Sequence, residues 1–300
     1  MSDSDKTSFA IPSKVNDVLF TGDISYEESQ KLYRQWAEAG TYDQMLHRNP
    51  KEYNALIQFT AGMKDLFPED KSGRVLDLGA GTGLSGEELL SVGYTNIDAL
   101  EPCEKFVEII KAKGIYKNII ERPIEGENSL DIPNDTYDAV GAVGSFCPGH
   151  VPSSAILEIV RIVKPGGKFL ICMRECFLES VSEYKDRLVP LFEDLEKQGR
   201  IQRLEWTRYP NHFAGKDGIR MEDEEEEEDK DRRRKSSNCR MSISGRGGGG
   251  QEKEKEVRRW RRKRTEEEEE DWSRKRRTGV GRQEEEEENR RRRIGGRGGG

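Results

Sequence analysis

The sequence predicts an α/β fold, a doubly wound and mostly parallel sheet, and three observations carry that expectation. Strand-like and helix-like stretches alternate from about residue 75 to residue 207, the order that builds parallel strands joined by crossover helices. The apolar run Val75-Leu76-Asp77-Leu78 passes directly into Gly79-Ala80-Gly81-Thr82-Gly83 and then into a helical pattern, a strand–turn–helix join of the kind found where such sheets bind ligands. Further on, Lys164-Pro165-Gly166-Gly167 stops one helix and leads into a strand, because proline and glycine do not continue the helical pattern.

Taken in order, residues 1–22 are polar and are expected to be disordered. Ser25-Tyr26-Glu27-Glu28 has capping-box spacing for a helix carrying Leu32, Tyr33 and Trp36, with Gly40 ending it. A second helix is expected to open at Asn49-Pro50 and to gather Leu56, Phe59 and Met63 on one face. These N-terminal helices, over 25–66, read as a lid across the sheet. Within the core, 73–220, the strand at Val75 is followed by a helix from Leu84 to Leu90, a strand from Asn96 to Leu100 and a helix from Glu104 to Lys113. Strands follow at Asn118–Glu121 and Tyr137–Val143, the latter after the turn Pro133-Asn134-Asp135. A helix over Pro152–Val163, a strand over Lys168–Met173, a helix over Ser182–Gln198 and a strand over Arg200–Thr207 complete the alternation.

The glycine segment satisfies two spellings at once. Gly81-x-Gly83-x-x-Gly86 fits a dinucleotide turn, whereas Asp77-x-Gly79-x-Gly81-x-Gly83 fits the turn that holds S-adenosylmethionine. The acid decides between them: a carboxylate beside a pyrophosphate in a dry pocket repels it, but suits a cationic methionine ammonium. Glu101 ends the next strand and Pro102 breaks it, which places a carboxylate where both hydroxyls of an adenosine ribose can donate to it. Ile124 and Glu125 in the following turn offer an apolar wall and a polar partner for adenine, and the loop at Gly144 is expected to face the transferable methyl. An aromatic among Tyr33, Trp36 and Tyr42 could face the sulfonium, where cation–π attraction is worth ~0.5–2 kcal/mol. His150 and His212 are candidate proton acceptors, His150 as a weak candidate for contact with the acceptor.

Composition divides the chain. Residues 222–300 hold 19 Glu, 19 Arg, 6 Lys and 12 Gly, too few apolar residues for a core, and 221–300 is expected to be a disordered low-complexity tail. Residues 23–220 form the expected folded domain. The first 221 residues carry a net charge of about −9 and the tail about +2, which argues against intrinsic affinity for nucleic acid or anionic membranes. The five scattered cysteines lack metal-ligand spacing, so neither zinc nor a disulfide framework is expected and a reduced compartment fits. No apolar run reaches membrane-spanning length. The expectation is a cytoplasmic protein, with basic clusters such as Arg232–Lys235 as a route to the nucleus.

The run Val75 to Gly83, Glu101 with Pro102, and Val163-Lys164-Pro165-Gly166-Gly167 together resemble the class I S-adenosylmethionine-dependent methyltransferases. The resemblance covers about Ser25 to Ile219 and implies a Rossmann-like fold, S-adenosylmethionine bound by the Asp77–Gly83 segment and Glu101, and an unidentified small-molecule or protein acceptor. A non-catalytic binding protein of the same fold, or a nucleic-acid adaptor acting through the tail, is the alternative. One departure stands out. Such enzymes end in an antiparallel hairpin, and where its last strand belongs this chain has Arg220-Met221-Glu222-Asp223-Glu224, a run of carboxylates unfit for a sheet. The last strand is therefore expected to be missing, replaced by the tail.

Overall fold

A computed structural model describes residues 23–40, 42, 53–67, 69–210 and 235–243. The elements are α1 (Tyr26–Glu38), α2 (Asn54–Leu66), β1 (Val75–Leu78), α3 (Leu84–Ser91), β2 (Ile97–Leu100), α4 (Glu104–Lys113), β3 (Ile119–Ile120), β4 (Tyr137–Val143), α5 (Ala155–Ile162), β5 (Val163–Arg174), α6 (Phe177–Ser180), α7 (Leu188–Lys197), β6 (Ile201–Pro210) and β7 (Lys235–Ile243). The seven strands form one sheet in the order β3-β2-β1-β4-β5-β7-β6. Strands β1 to β5 pair in parallel, and β7 runs antiparallel to both β5 and β6. The order reverses at β1, so the crevice between the β1 and β4 ends is the topological switch point.

Helices cover both faces, which is why the parallel strands read as continuous apolar runs. On one face Leu56, Phe59 and Met63 of α2 and Leu89 of α3 pack on Val75, Ile97, Ala139 and Leu170. On the other, α5 and α7 bury Ile156, Ile159, Leu188 and Phe192 against Leu76, Val140, Phe169 and Ile171. Gly141 in β4 makes room for α2, since a Cβ there would stand 2.7 Å from the Phe59 ring. Helix α1 starts with the expected capping box: the Glu28 N–H donates to Ser25 Oγ, and the Ser25 N–H donates to the Glu28 carboxylate. It is tied to the loop after β4 by Ser29 Oγ, 2.7 Å from the Gly149 carbonyl.

Two boundaries differ from the sequence reading, and a third falls outside the described residues. β5 begins at Val163, because Lys164 to Gly167 forms an irregularity in the strand: Val163 pairs with Tyr137 and Lys168 with Ala139. The helix expected over Ser182–Gln198 starts only at Leu188. Before it the chain turns through Asp186, φ 55°, while the buried Tyr184 hydroxyl bonds the carbonyls of Cys147 and Val151 at 2.9 and 2.7 Å. The second helix begins, within the described residues, at Asn54; its expected opening at Asn49-Pro50 lies outside them.

The missing last strand is the correction of substance. β7 lies inside the segment read as tail and occupies the position between β5 and β6, with Ile171 opposite Cys239 and Phe169 opposite Met241. It belongs there because Cys239, Met241 and Ile243 alternate with polar residues and all three are buried, the period of a strand with one apolar face. The carboxylate run that follows Met221 falls outside the described residues, between β6 and β7. Replacing the fully buried Met241 by Ala is expected to cost about 2–5 kcal/mol. A urea unfolding curve of the full chain measures it; a midpoint unchanged from the parent would show that β7 is not part of the stable sheet.

Candidate functional site

A single concavity draws on the carboxyl ends of β1, β2, β4 and β5. Gly79 and Gly81 form its floor beside Glu101 and Pro102; Ile124 stands after β3, and Gly144, Ser145, Cys147 and His150 follow β4. Tyr26 and Tyr33 of α1, with Tyr42 and Tyr53, close it from above, as a lid would. Gly79 is required here, because with φ 73° it turns out of β1 and any Cβ would lie 2.4 Å from Ser145 Oγ. That hydroxyl is already committed, donating to the Leu78 carbonyl at 2.7 Å. At Gly81, φ 55°, the nearest atom to an added Cβ is the Tyr42 hydroxyl at 3.9 Å, so the space above this turn is open.

Glu101 is 5% exposed and aims both oxygens at backbone N–H groups: Gly81 N lies 2.8 Å from Oε2 and Cys103 N 2.8 Å from Oε1. Each oxygen keeps a further lone pair. Burial pushes the carboxyl up to about 7, the two N–H donors pull it back, and the Asp77 charge adds to the rise.

Asp77 lies behind the glycine turn, fully buried. Its Oδ2 accepts from the Ser85 hydroxyl at 2.7 Å and the Tyr116 hydroxyl at 2.6 Å, while Oδ1 is closed to solvent and has no partner among the described residues. Burial pushes this carboxyl up to about 6, against the lowering pull of Tyr116 and Ser85. An unpartnered buried carboxylate oxygen calls for a donor. The ammonium of a methionine moiety is such a donor, and the lone pairs on Glu101 suit a ribose diol, so the residues present fit S-adenosylmethionine.

The other sequence-selected residues divide. Tyr33, Tyr42, Gly79, Gly81, Glu101, Pro102, Ile124, Gly144 and His150 line the concavity; Trp36, Asp77, Gly83 and Glu125 do not. Trp36 is 1% exposed and packs behind, stacked on Tyr33 at 6.2 Å and edge-on to Tyr42 at 5.0 Å. Gly83 caps α3 with φ 91°, and Glu125 is on the exposed turn, its carbonyl accepting from Ser154 Oγ. His212 lies outside the described residues. Sequence reasoning missed Ser85, Tyr116, Tyr53, Arg174 and Phe177. Ser85 was within reach, one turn into the helix that follows the glycines; Tyr116 is 39 residues from Asp77 and no local spacing links them.

The methyltransferase domain family matches residues 76–171. Methyltransferase-like protein 27 of Homo sapiens is 32% identical over 183 residues, covering 59% of this chain and 70% of that one. The chain belongs to the class I S-adenosylmethionine-dependent methyltransferases. S-adenosylmethionine is accordingly the cofactor of this methyltransferase. It is also 27% identical over 133 residues to a demethylmenaquinone methyltransferase of Corynebacterium kroppenstedtii, of which it spans 50%. Among solved structures it is similar, at TM-score 0.50 and 17% identity, to a chain in the complex of the Haloferax volcanii Trm112 methyltransferase activator with a methyltransferase, covering 71% of this chain and 98% of that one. That last likeness speaks for the fold alone. Among the described residues no helix is long and apolar enough to cross a membrane.

The raised carboxyls set a pH dependence for the methyltransferase without ligand. Both bind protons more tightly folded than unfolded, so stability is greatest below their unfolded pKa values and falls as pH rises, for Asp77 from about 4 to about 6. Asp77→Asn keeps an oxygen for Ser85 and Tyr116 and removes the buried charge. The variant is expected to be more stable than the parent at pH 8 and to lose less stability between pH 4 and 6, by as much as about 1.4 kcal/mol per pH unit. Denaturant titrations at several pH values would read this; parallel curves for the two proteins would refute it.

Proposed function

We propose that this methyltransferase binds S-adenosylmethionine across the glycine turn, with Glu101 receiving the ribose hydroxyls, and transfers its methyl to an acceptor entering from the β4–β5 side. The observation that carries the reading is Glu101: a carboxylate fixed by two backbone N–H groups at the tip of β2, inside the concavity, with a lone pair left on each oxygen. Asp77 does not itself line the concavity; its Oδ1, without a partner among the described residues, would meet the methionine ammonium from behind the glycine turn, directly or through one water. Tyr33 and Tyr42, whose rings meet at 5.9 Å, form an aromatic wall able to face a sulfonium.

When bound, the cofactor supplies an electrophilic methyl on a positively charged sulfur. The chain's part is to hold two reactants in line and to exclude water, which lowers the barrier without any covalent intermediate. Tyr26, Tyr33 and Tyr53 cover the concavity, and Ser29 locks α1 to the Gly149 carbonyl, keeping that cover in place.

Calorimetric titration of S-adenosylmethionine into the full chain tests the reading. Saturable binding is expected, weakened about a hundredfold in Glu101→Ala, since two hydrogen bonds to a charged group are lost. Affinity should rise between pH 6 and 8 as Glu101 ionises, because only the carboxylate accepts from both hydroxyls. A folded Glu101→Ala protein that binds the cofactor as well as the parent would overturn the assignment.

A further inference from the structure

Sheet order divides the concavity into two ends. Glu101 and the turn with Ile124 follow β2 and β3, whereas His150 follows β4 and Arg174 ends β5. With strands about 4.8 Å apart, the β3 and β5 ends stand roughly 19 Å from one another. A cofactor anchored at Glu101 therefore leaves the β4–β5 end for the acceptor. That end is walled by Phe146, Cys147, Phe177 and Tyr53, an apolar and largely aromatic surface.

Among the described residues, His150 and Arg174 add nitrogen groups to that surface. His150 Nδ1 lies 2.6 Å from the Pro148 carbonyl; a carbonyl only accepts, so Nδ1 carries the hydrogen and Nε2 carries the lone pair. Nε2 is closed to solvent and has no partner among the described residues, while its ring stands edge-on to Tyr33 at 5.0 Å. Of the two arginines among the described residues that line the concavity, Arg122 belongs to the β3 end and Arg174 to the β5 end. The Arg174 guanidinium lies over the Phe177 ring, 5.3 Å from its centre.

We propose, resting on the cofactor reading above, that the acceptor is a small aromatic hydroxy acid, its hydroxyl hydrogen-bonded to His150 Nε2 and its anionic group paired with Arg174. The step balances as a displacement. The hydroxyl oxygen forms a bond to the methyl carbon, the carbon–sulfur bond breaks with its electron pair going to sulfur, and the hydroxyl proton passes to Nε2. Burial keeps this imidazole neutral, its pKa down at about 4. Such a weak base cannot strip an ammonium, but it can take a proton from an oxygen that becomes strongly acidic as it is methylated. The chemistry thus favours a hydroxyl over an aliphatic amine, which is an ammonium at neutral pH.

The test uses the full chain saturated with S-adenosylhomocysteine, into which 2-, 3- and 4-hydroxybenzoate are titrated, with 4-(aminomethyl)benzoate, whose amine is an ammonium at neutral pH, and methyl 4-hydroxybenzoate as controls. At least one hydroxybenzoate is expected to bind and, with S-adenosylmethionine present, to be methylated on oxygen, without matching transfer to 4-(aminomethyl)benzoate. Arg174→Gln should weaken the acid by about tenfold or more and the ester by much less, since only the acid loses a charged partner. His150→Gln should lower the transfer rate by about a hundredfold or more with hydroxybenzoate binding nearly kept. Nitrogen NMR of the labelled imidazole in the unmutated protein gives a readout independent of any variant's folding: Nε2 should be unprotonated and should shift when hydroxybenzoate is added. No hydroxybenzoate binding, an unshifted Nε2, equal loss of acid and ester, preserved transfer in the histidine variant, or equal transfer to the amine overturns the proposal. Failure of S-adenosylhomocysteine itself to bind would instead overturn the cofactor reading beneath it.

Discussion

Two carboxylates removed from water at the ends of β1 and β2 set the terms for the rest of the site. Asp77 is fully buried and Glu101 nearly so, and both are pushed up towards neutral pH by that burial. Ionised acids in such surroundings persist only when donors are aimed at them. The glycine turn and its neighbours provide those donors: Gly81 and Cys103 for Glu101, Ser85 and Tyr116 for Asp77. What they leave over, one orphaned oxygen on Asp77 and spare lone pairs on Glu101, is what we propose the cofactor meets.

The remaining architecture keeps those acids dry and in place. Gly79 must lack a side chain so that Ser145 can close under the turn. Gly86 must lack one because a Cβ there would fall 2.3 Å from the Tyr116 hydroxyl, the group that fixes Asp77. Tyr184, reaching from the turn before α7, holds the carbonyls of Cys147 and Val151 and so shapes the loop that presents His150. Helix α1 then covers the opening, held by Ser29 on that same loop. Sheet, loop and α1 meet at one place, the concavity where we propose that methyl transfer takes place.

The features legible in the sequence were those written in short spacings. Val75 to Gly83, the capping box at Ser25 and the acid–proline pair at Glu101 are local patterns, and local patterns survive folding. Partners brought together by the sheet were not legible: Tyr116 with Asp77, Tyr184 with Cys147, Arg174 with the concavity. Trp36 stands with Tyr33 and Tyr42 in the sequence as an aromatic able to face a sulfonium, but its ring stacks on Tyr33, and of that pair only Tyr33 reaches the concavity. β7 was missed for a different reason. Its three alternating apolar residues are embedded among charge runs whose composition outweighs so short a signal, and only pairing with β5 and β6 turns that alternation into a strand.

The most direct measurement is a crystal structure of the full chain with S-adenosylhomocysteine. The account predicts both ribose hydroxyls on the Glu101 carboxylate, the amino group satisfied at Asp77 Oδ1 directly or through one water, and the sulfur turned towards the β4–β5 end that holds His150 and Arg174. A ribose bound away from Glu101, or a sulfur facing the β3 end, would contradict it.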